Sequence, residues 1–277
     1  MEVPTVFTLA FVLQTATTMF GVPLSEPAAR LVVDVEAQYG KSIRQELVTT
    51  WEPSHYGESL VANDGTPVIK VNANTGRTEA TIVHELLHLK LRTEGFASLA
   101  FELPPGKNTE SNRTYLQWIG FHLRDPIQHW IVYPRMRAMG LDPDPELKTE
   151  FREAIRIGDF RGTNEITGKE ARAMYYLKAA LQIDDSPLLQ QVSDWYQRKG
   201  WEDSLSIGRE MTKLVLQAQP KSPSDEMRTF VKCANILLAD TANFQFAGFQ
   251  QILLGHHVQN VARIKVLPPP PGSGPTQ

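Results

Sequence analysis

Thr81-Ile82-Val83-His84-Glu85-Leu86-Leu87-His88-Leu89 is the stretch on which the reading of this 277-residue chain turns. It carries the spacing H-E-x-x-H inside a run without Gly or Pro from Arg77 to Arg92, which reads as a helix capped by Thr75. At 3.6 residues per turn His84 and His88 stand one above the other, so both imidazoles reach a single metal ion. Glu85 lies one step round from that face. It can touch a water at the metal without being a ligand, which is the position a general base needs. Ile82, Val83, Leu86, Leu87 and Leu89 fill most of the remaining circumference. A helix apolar nearly all round is buried, and buried polar groups need partners, so the pattern favours metal ligation over a solvated face.

Working outward, Ser25-Glu26-Pro27 opens a short helix whose apolar positions Leu31, Val32 and Val35 continue to a stop at Tyr39-Gly40. Between the two helices the chain is rich in β-formers. Leu60-Val61 and Val68-Ile69-Lys70-Val71 are predicted hairpin strands around Asn63-Asp64-Gly65. Past the motif, Asn108 to Asn112 reads as loop. Pro126 and Pro134 argue against a straight helix from Tyr115 to Gly140, so Asp125 is predicted to cap a new helix with Pro126 in its first turn. Leu141-Asp142-Pro143-Asp144-Pro145 makes a natural boundary. Beyond it Thr167-Gly168-Lys169-Glu170, Ser186-Pro187 and Ser222-Pro223 each look like a helix start. The fold class is therefore read as α+β: a domain at 1–141 with a small sheet and the motif helix, an all-helical region at 142–267, and a disordered Pro/Gly-rich tail at 268–277.

Composition narrows the partners. The 28 Lys and Arg against 31 Asp and Glu leave a net charge of -3, with no excess of positive charge to neutralise phosphates, so nucleic acid is not the favoured partner. No interior run is long and apolar enough for a membrane span. The apolar segment Val6 to Phe20 lacks the opening positive charge of a secretory signal and is read as a buried helix, with export as the alternative. One cysteine, Cys233, permits no intramolecular disulfide, which fits a cytoplasmic location.

With its helix, hairpin, H-E-x-x-H helix order, the region from Ser25 to Gly140 resembles the zincin metallopeptidases, specifically the compact bacterial ImmA/IrrE-like group. The resemblance implies that His84 and His88 bind zinc, that Glu85 activates water, and that the strand before the motif helix, here Val68 to Val71, pairs with an extended substrate. The longer metzincin signature is absent, since Glu94 and Ser98 stand where that pattern has Gly and His. The gluzincin Glu ligand is missing as well.

Catalytic zinc takes three protein ligands, so one more is needed. His122, Asp125, His129 and Glu94 compete. Gly95 beside Glu94 reads as a helix stop, and Asp125 before Pro126 suits a cap. His129 among Ile127, Trp130, Ile131 and Val132 would need a partner and is the favoured third ligand. Tyr133 and His122 are candidate oxyanion donors, whereas His55, His256 and His257 have no ligand spacing. The expectation is a zinc-dependent metallopeptidase with Glu85 as base, acting on a peptide or protein. A non-peptidase metal hydrolase, or a partner-binding regulator with a structural metal, is the alternative.

Overall fold

A computed structural model of the chain describes residues 17–52, 55–143, 145–158 and 168–269. The first elements are a two-stranded hairpin of β1 (Thr18–Met19) and β2 (Val22–Pro23), followed by α1 (Glu26–Tyr39). Most of the apolar stretch read as a helix from Val6 to Phe20 lies outside the described residues, and its end, Thr18–Met19, is strand rather than helix. α1 matches the sequence reading. Leu31, Val32 and Val35 are buried, and Gly40 ends the helix with φ 64°, a left-handed conformation that glycine adopts without strain.

Three strands follow: β3 (Arg44–Val48), β4 (Gly57–Val61) and β5 (Pro67–Asn72). β4 and β5 form the predicted antiparallel hairpin, while β3 pairs with β5 in parallel. The order β3-β5-β4 corrects one expectation. β5, the strand that precedes the motif helix, is the buried centre of the sheet with both edges engaged, so it cannot pair with a substrate. The edge beside the motif helix belongs to β4.

α2 (Glu79–Thr93) carries the motif. Its cap is Thr78, whose hydroxyl accepts from the Thr81 amide at 3.1 Å, and not Thr75, which lies in the preceding turn. After β6 (Ser98–Glu102) comes α3 (Glu110–Ala138), a continuous helix of 29 residues through both Pro126 and Pro134. It begins inside the stretch read as loop, and it removes the predicted cap at Asp125, which sits in mid-helix. Each internal proline forfeits a backbone hydrogen bond and costs about 3 kcal/mol, but α3 buries ten residues along its length, Leu116 to Met136, and that burial outweighs the breaks.

The remaining helices are α4 (Pro145–Ile157), α5 (Lys169–Gln182), α6 (Ser186–Arg198), α7 (Glu202–Ala218) and α8 (Pro223–Leu237). Gly168 occupies the cap position of α5, while Thr167 of the expected capping box lies outside the described residues. The expectation of an all-helical region up to 267 is overturned by β7 (Asn243–Leu254) and β8 (His257–Leu267), a long antiparallel hairpin. Its period is two: Ala262, Ile264 and Val266 are buried while Arg263 and Lys265 face outward. β8 also pairs in parallel with β6, so this second sheet, ordered β6-β8-β7, takes one strand from before the boundary read at Leu141 to Pro145 and two from after it.

The tips of the two hairpins meet glycine to glycine. A Cβ on Gly65 would lie 2.5 Å from the Leu254 carbonyl oxygen, and one on Gly255 only 1.9 Å from that of Asp64, so no larger residue fits either tip. Three apolar clusters result. One joins α1 and α2 to the first sheet, one joins the second sheet to α3, α5, α7 and α8, and one gathers α4 to α7. α3 contributes to the first two, with Leu116 to Ile127 in one and Val132 to Met136 in the other. The tail from 270 lies outside the described residues.

Candidate metal centre

α2 and α3 bring three imidazoles together. His84 and His88 come from adjacent turns of α2, and His129 faces them from α3. Their Nε2 atoms form a triangle with sides of 3.0 Å (His84 to His88), 3.1 Å (His84 to His129) and 3.2 Å (His88 to His129). An ion at the usual Zn–N length of about 2.0–2.1 Å with tetrahedral angles spaces its nitrogens about 3.3 Å apart, so the triangle is close to the size such an ion requires. Burial pushes the His84 pKa down to about 4, and those of His88 and His129 well below the ordinary histidine value, with the neighbouring rings adding to the shift. Neutral rings with converging lone pairs repel one another unless a cation lies between them. This group can hold a metal ion.

Two of the three outer ring nitrogens, those of His88 and His129, meet a glutamine side chain. His88 Nδ1 lies 2.9 Å from Gln128 Oε1, so its proton has an acceptor and its Nε2 lone pair is left for a metal. His129 Nδ1 lies 2.8 Å from the Gln182 amide, which also meets the Tyr133 hydroxyl at 3.3 Å. Gln182 Nε2 faces the ring and its Oε1 accepts from the Tyr133 hydroxyl; turning the amide over would let it accept from His129 Nδ1 and leave the ring's Nε2 for a metal. Tyr133 stacks on His129 at 4.8 Å between ring centres. The sequence reading found neither glutamine. Gln128, next to His129, was at hand in the sequence, but Gln182 is 53 residues from its partner and had no local signal.

Glu85 is buried on the neighbouring face of α2. Loss of hydration pushes its carboxyl up to about 8, opposed by a hydrogen bond from Ser59. Strand β4 packs directly on it: a Cβ at Gly57 would sit 3.0 Å from Glu85 Cγ and Oε1 and from Thr81 Cγ2. Only glycine lets the strand come this close. The Glu85 carboxyl thus lies between β4, an edge strand of its sheet, and the helix that carries His84 and His88.

Of the rival ligands, Asp125 comes nearest. Its Oδ1 is 3.3 Å from His129 Nε2, one helical turn away on the unbroken α3, though it does not complete a convergent group with the other two rings. Glu94 is elsewhere, bound by both guanidinium nitrogens of Arg135 at 2.8 and 2.9 Å. His122 packs among Trp118 and Phe121, away from the triangle. His55 stacks on Trp51, and His257 meets Tyr39 with the rings tilted by 35°. Among the described residues no helix is long and apolar enough to cross a membrane. No protein-family model, curated protein or solved structure matches the chain.

Proposed function

We propose that the chain is a zinc-dependent hydrolase that cleaves peptide bonds, with a zincin-like arrangement of α2 and the first sheet. The observation that carries the reading is the 3.0–3.2 Å triangle of His84, His88 and His129 Nε2 atoms, the first two on the helix that presents the Glu85 carboxyl to β4, an edge strand of its sheet among the described residues. Three neutral imidazoles suit zinc among the biological divalent ions, and a three-ligand set leaves a position for substrate. Bound there, zinc supplies a Lewis acid and lowers the pKa of water. The protein's own groups do the rest. Glu85 takes a proton from the attacking water and hands it to the departing amine. The β4 edge lends backbone groups to an extended peptide and holds its carbonyl near Glu85. Gln128 and Gln182 keep the rings from turning.

A second reading, a structural metal in a regulator, is favoured by one observation: Asp125 Oδ1 lies within 3.3 Å of His129 Nε2 and is at hand as a fourth donor. Metal analysis combined with cleavage of a quenched peptide library separates the two. The hydrolase reading expects about one zinc per chain, cleavage abolished by a chelator, and a Glu85→Gln variant that keeps the zinc but cleaves nothing. Zinc without cleavage in the wild type would favour the structural reading. Loss of zinc in Glu85→Gln would remove Glu85 from the role of base.

A further inference from the structure

Arg92 follows His84 and His88 one further turn along α2, so the three share a face of the helix. Its guanidinium is partly buried between two strands. Nη2 donates to the Ser59 carbonyl on β4 at 3.3 Å, and Nη1 to the Ser98 hydroxyl on β6 at 3.4 Å. Both bonds are long and both acceptors are neutral. A guanidinium has five N–H donors and a permanent charge, and when withdrawn from water it is ordinarily matched by a carboxylate. Among the described residues none is ion-paired with Arg92, and Glu85 and Glu58 act on it only through space. Arg124 repels it from α3, its own charge being held by Glu226 at 2.8 Å. The result is a cation with little compensation on the active face of α2.

We propose that Arg92 is a specificity residue that binds a carboxylate of the substrate, so that the enzyme prefers peptides with an acidic group close to the scissile bond. This rests on reading the β4 edge beside Glu85 as a peptide site. Gly57 abuts Glu85 and Ser59 is two residues further along the same edge, a distance of about 7 Å. An extended peptide laid on that edge with its reacting carbonyl at Glu85 brings the group two positions away to the guanidinium. A side-chain carboxylate and a free chain terminus offer the same chemistry.

The test uses the intact zinc-loaded protein and matched peptides in which Glu or Gln is scanned through three positions on either side of one scissile bond, each with free and with blocked termini. The wild type is expected to favour Glu over Gln by about tenfold or more at one position, or a free over a blocked terminus. In Arg92→Gln that ratio should fall to about one, and Arg92→Lys should retain part of it. Fluorescence anisotropy of the same peptides on the Glu85→Gln protein reads binding without cleavage. Arg92-dependent preference in binding with no cleavage by the wild type would uphold the inference and sink the peptidase reading. No acidic preference in the wild type, or one unchanged in Arg92→Gln, would overturn the inference and leave Arg92 a tie between the two sheets; should Arg92→Gln fail to fold, the wild-type scan and Arg92→Lys decide.

Discussion

Replacing His129 by Ala removes one corner of the nitrogen triangle and leaves two ligands on a single helix, so zinc affinity is expected to drop by orders of magnitude in chelator-competition titrations. Asp125→Asn should weaken binding by only about tenfold, because its carboxylate lies beside the triangle and adds attraction without completing it. Equal losses would make Asp125 a ligand. At the same scale, Gly57→Ala drives a methyl to 3.0 Å from the Glu85 carboxyl. The expected outcome is a fall in kcat of about tenfold to a hundredfold with zinc content unchanged, since a small displacement of a reacting group is costly. Normal turnover in that variant would show that Glu85 is not held by β4. His84, Glu85 and His88 were legible in the sequence because a helix makes their juxtaposition local. His129 was reached only through the awkwardness of a histidine in an apolar run.

α3 is the element that a local reading misjudged most, because proline counts heavily in an isolated segment and little in a helix packed against α2, α5, α8 and β6. One of its ties gives a pH-dependent expectation. Arg124 on α3 holds the wholly buried Glu226 of α8 at 2.8 Å. Arg124→Met should cost about 3–5 kcal/mol near neutral pH by leaving a buried carboxylate unpaired. Burial keeps the Glu226 pKa above the usual carboxylate value, and Arg124 opposes that shift. A carboxyl raised in the folded state adds stability that is present below its unfolded pKa and lost as pH rises, and without Arg124 the rise is larger, so the loss steepens. Urea titrations should therefore show the gap between variant and wild type narrowing as pH falls from 7 toward 4. A gap independent of pH would mean that Glu226 does not titrate there.

Across the whole molecule, the three-histidine group that could hold a metal draws its rings from α2 and α3 and the glutamines beside them from α3 and α5. A bound ion would thus tie together elements from distant parts of the chain. Because an ion that binds only the folded state stabilises it by about 2.7 kcal/mol at a hundred times its dissociation constant, stripping it with a chelator should lower the melting temperature by several degrees. Restoring zinc should return it. An unchanged melting temperature would show that the ion contributes nothing to holding these helices together. The second sheet makes the same long-range connection through hydrogen bonds, with Ser98–Glu102 lying beside Val261–Lys265.

What the sequence determined by itself is what sits within one turn or one hairpin: α1 with its Gly40 stop, the β4–β5 pairing around Gly65, the helical motif and the starts of α6 and α8. These rest on periodicity and on residues whose backbone preference is strong over a few positions. The tertiary structure alone decided that β5 is central and β4 the edge, that α3 runs unbroken, that β8 reaches back to β6, and that Gln182 secures His129. Each of these is a choice among pairings that are locally equivalent, and the chain makes it by burying apolar area and satisfying polar groups between segments far apart in sequence.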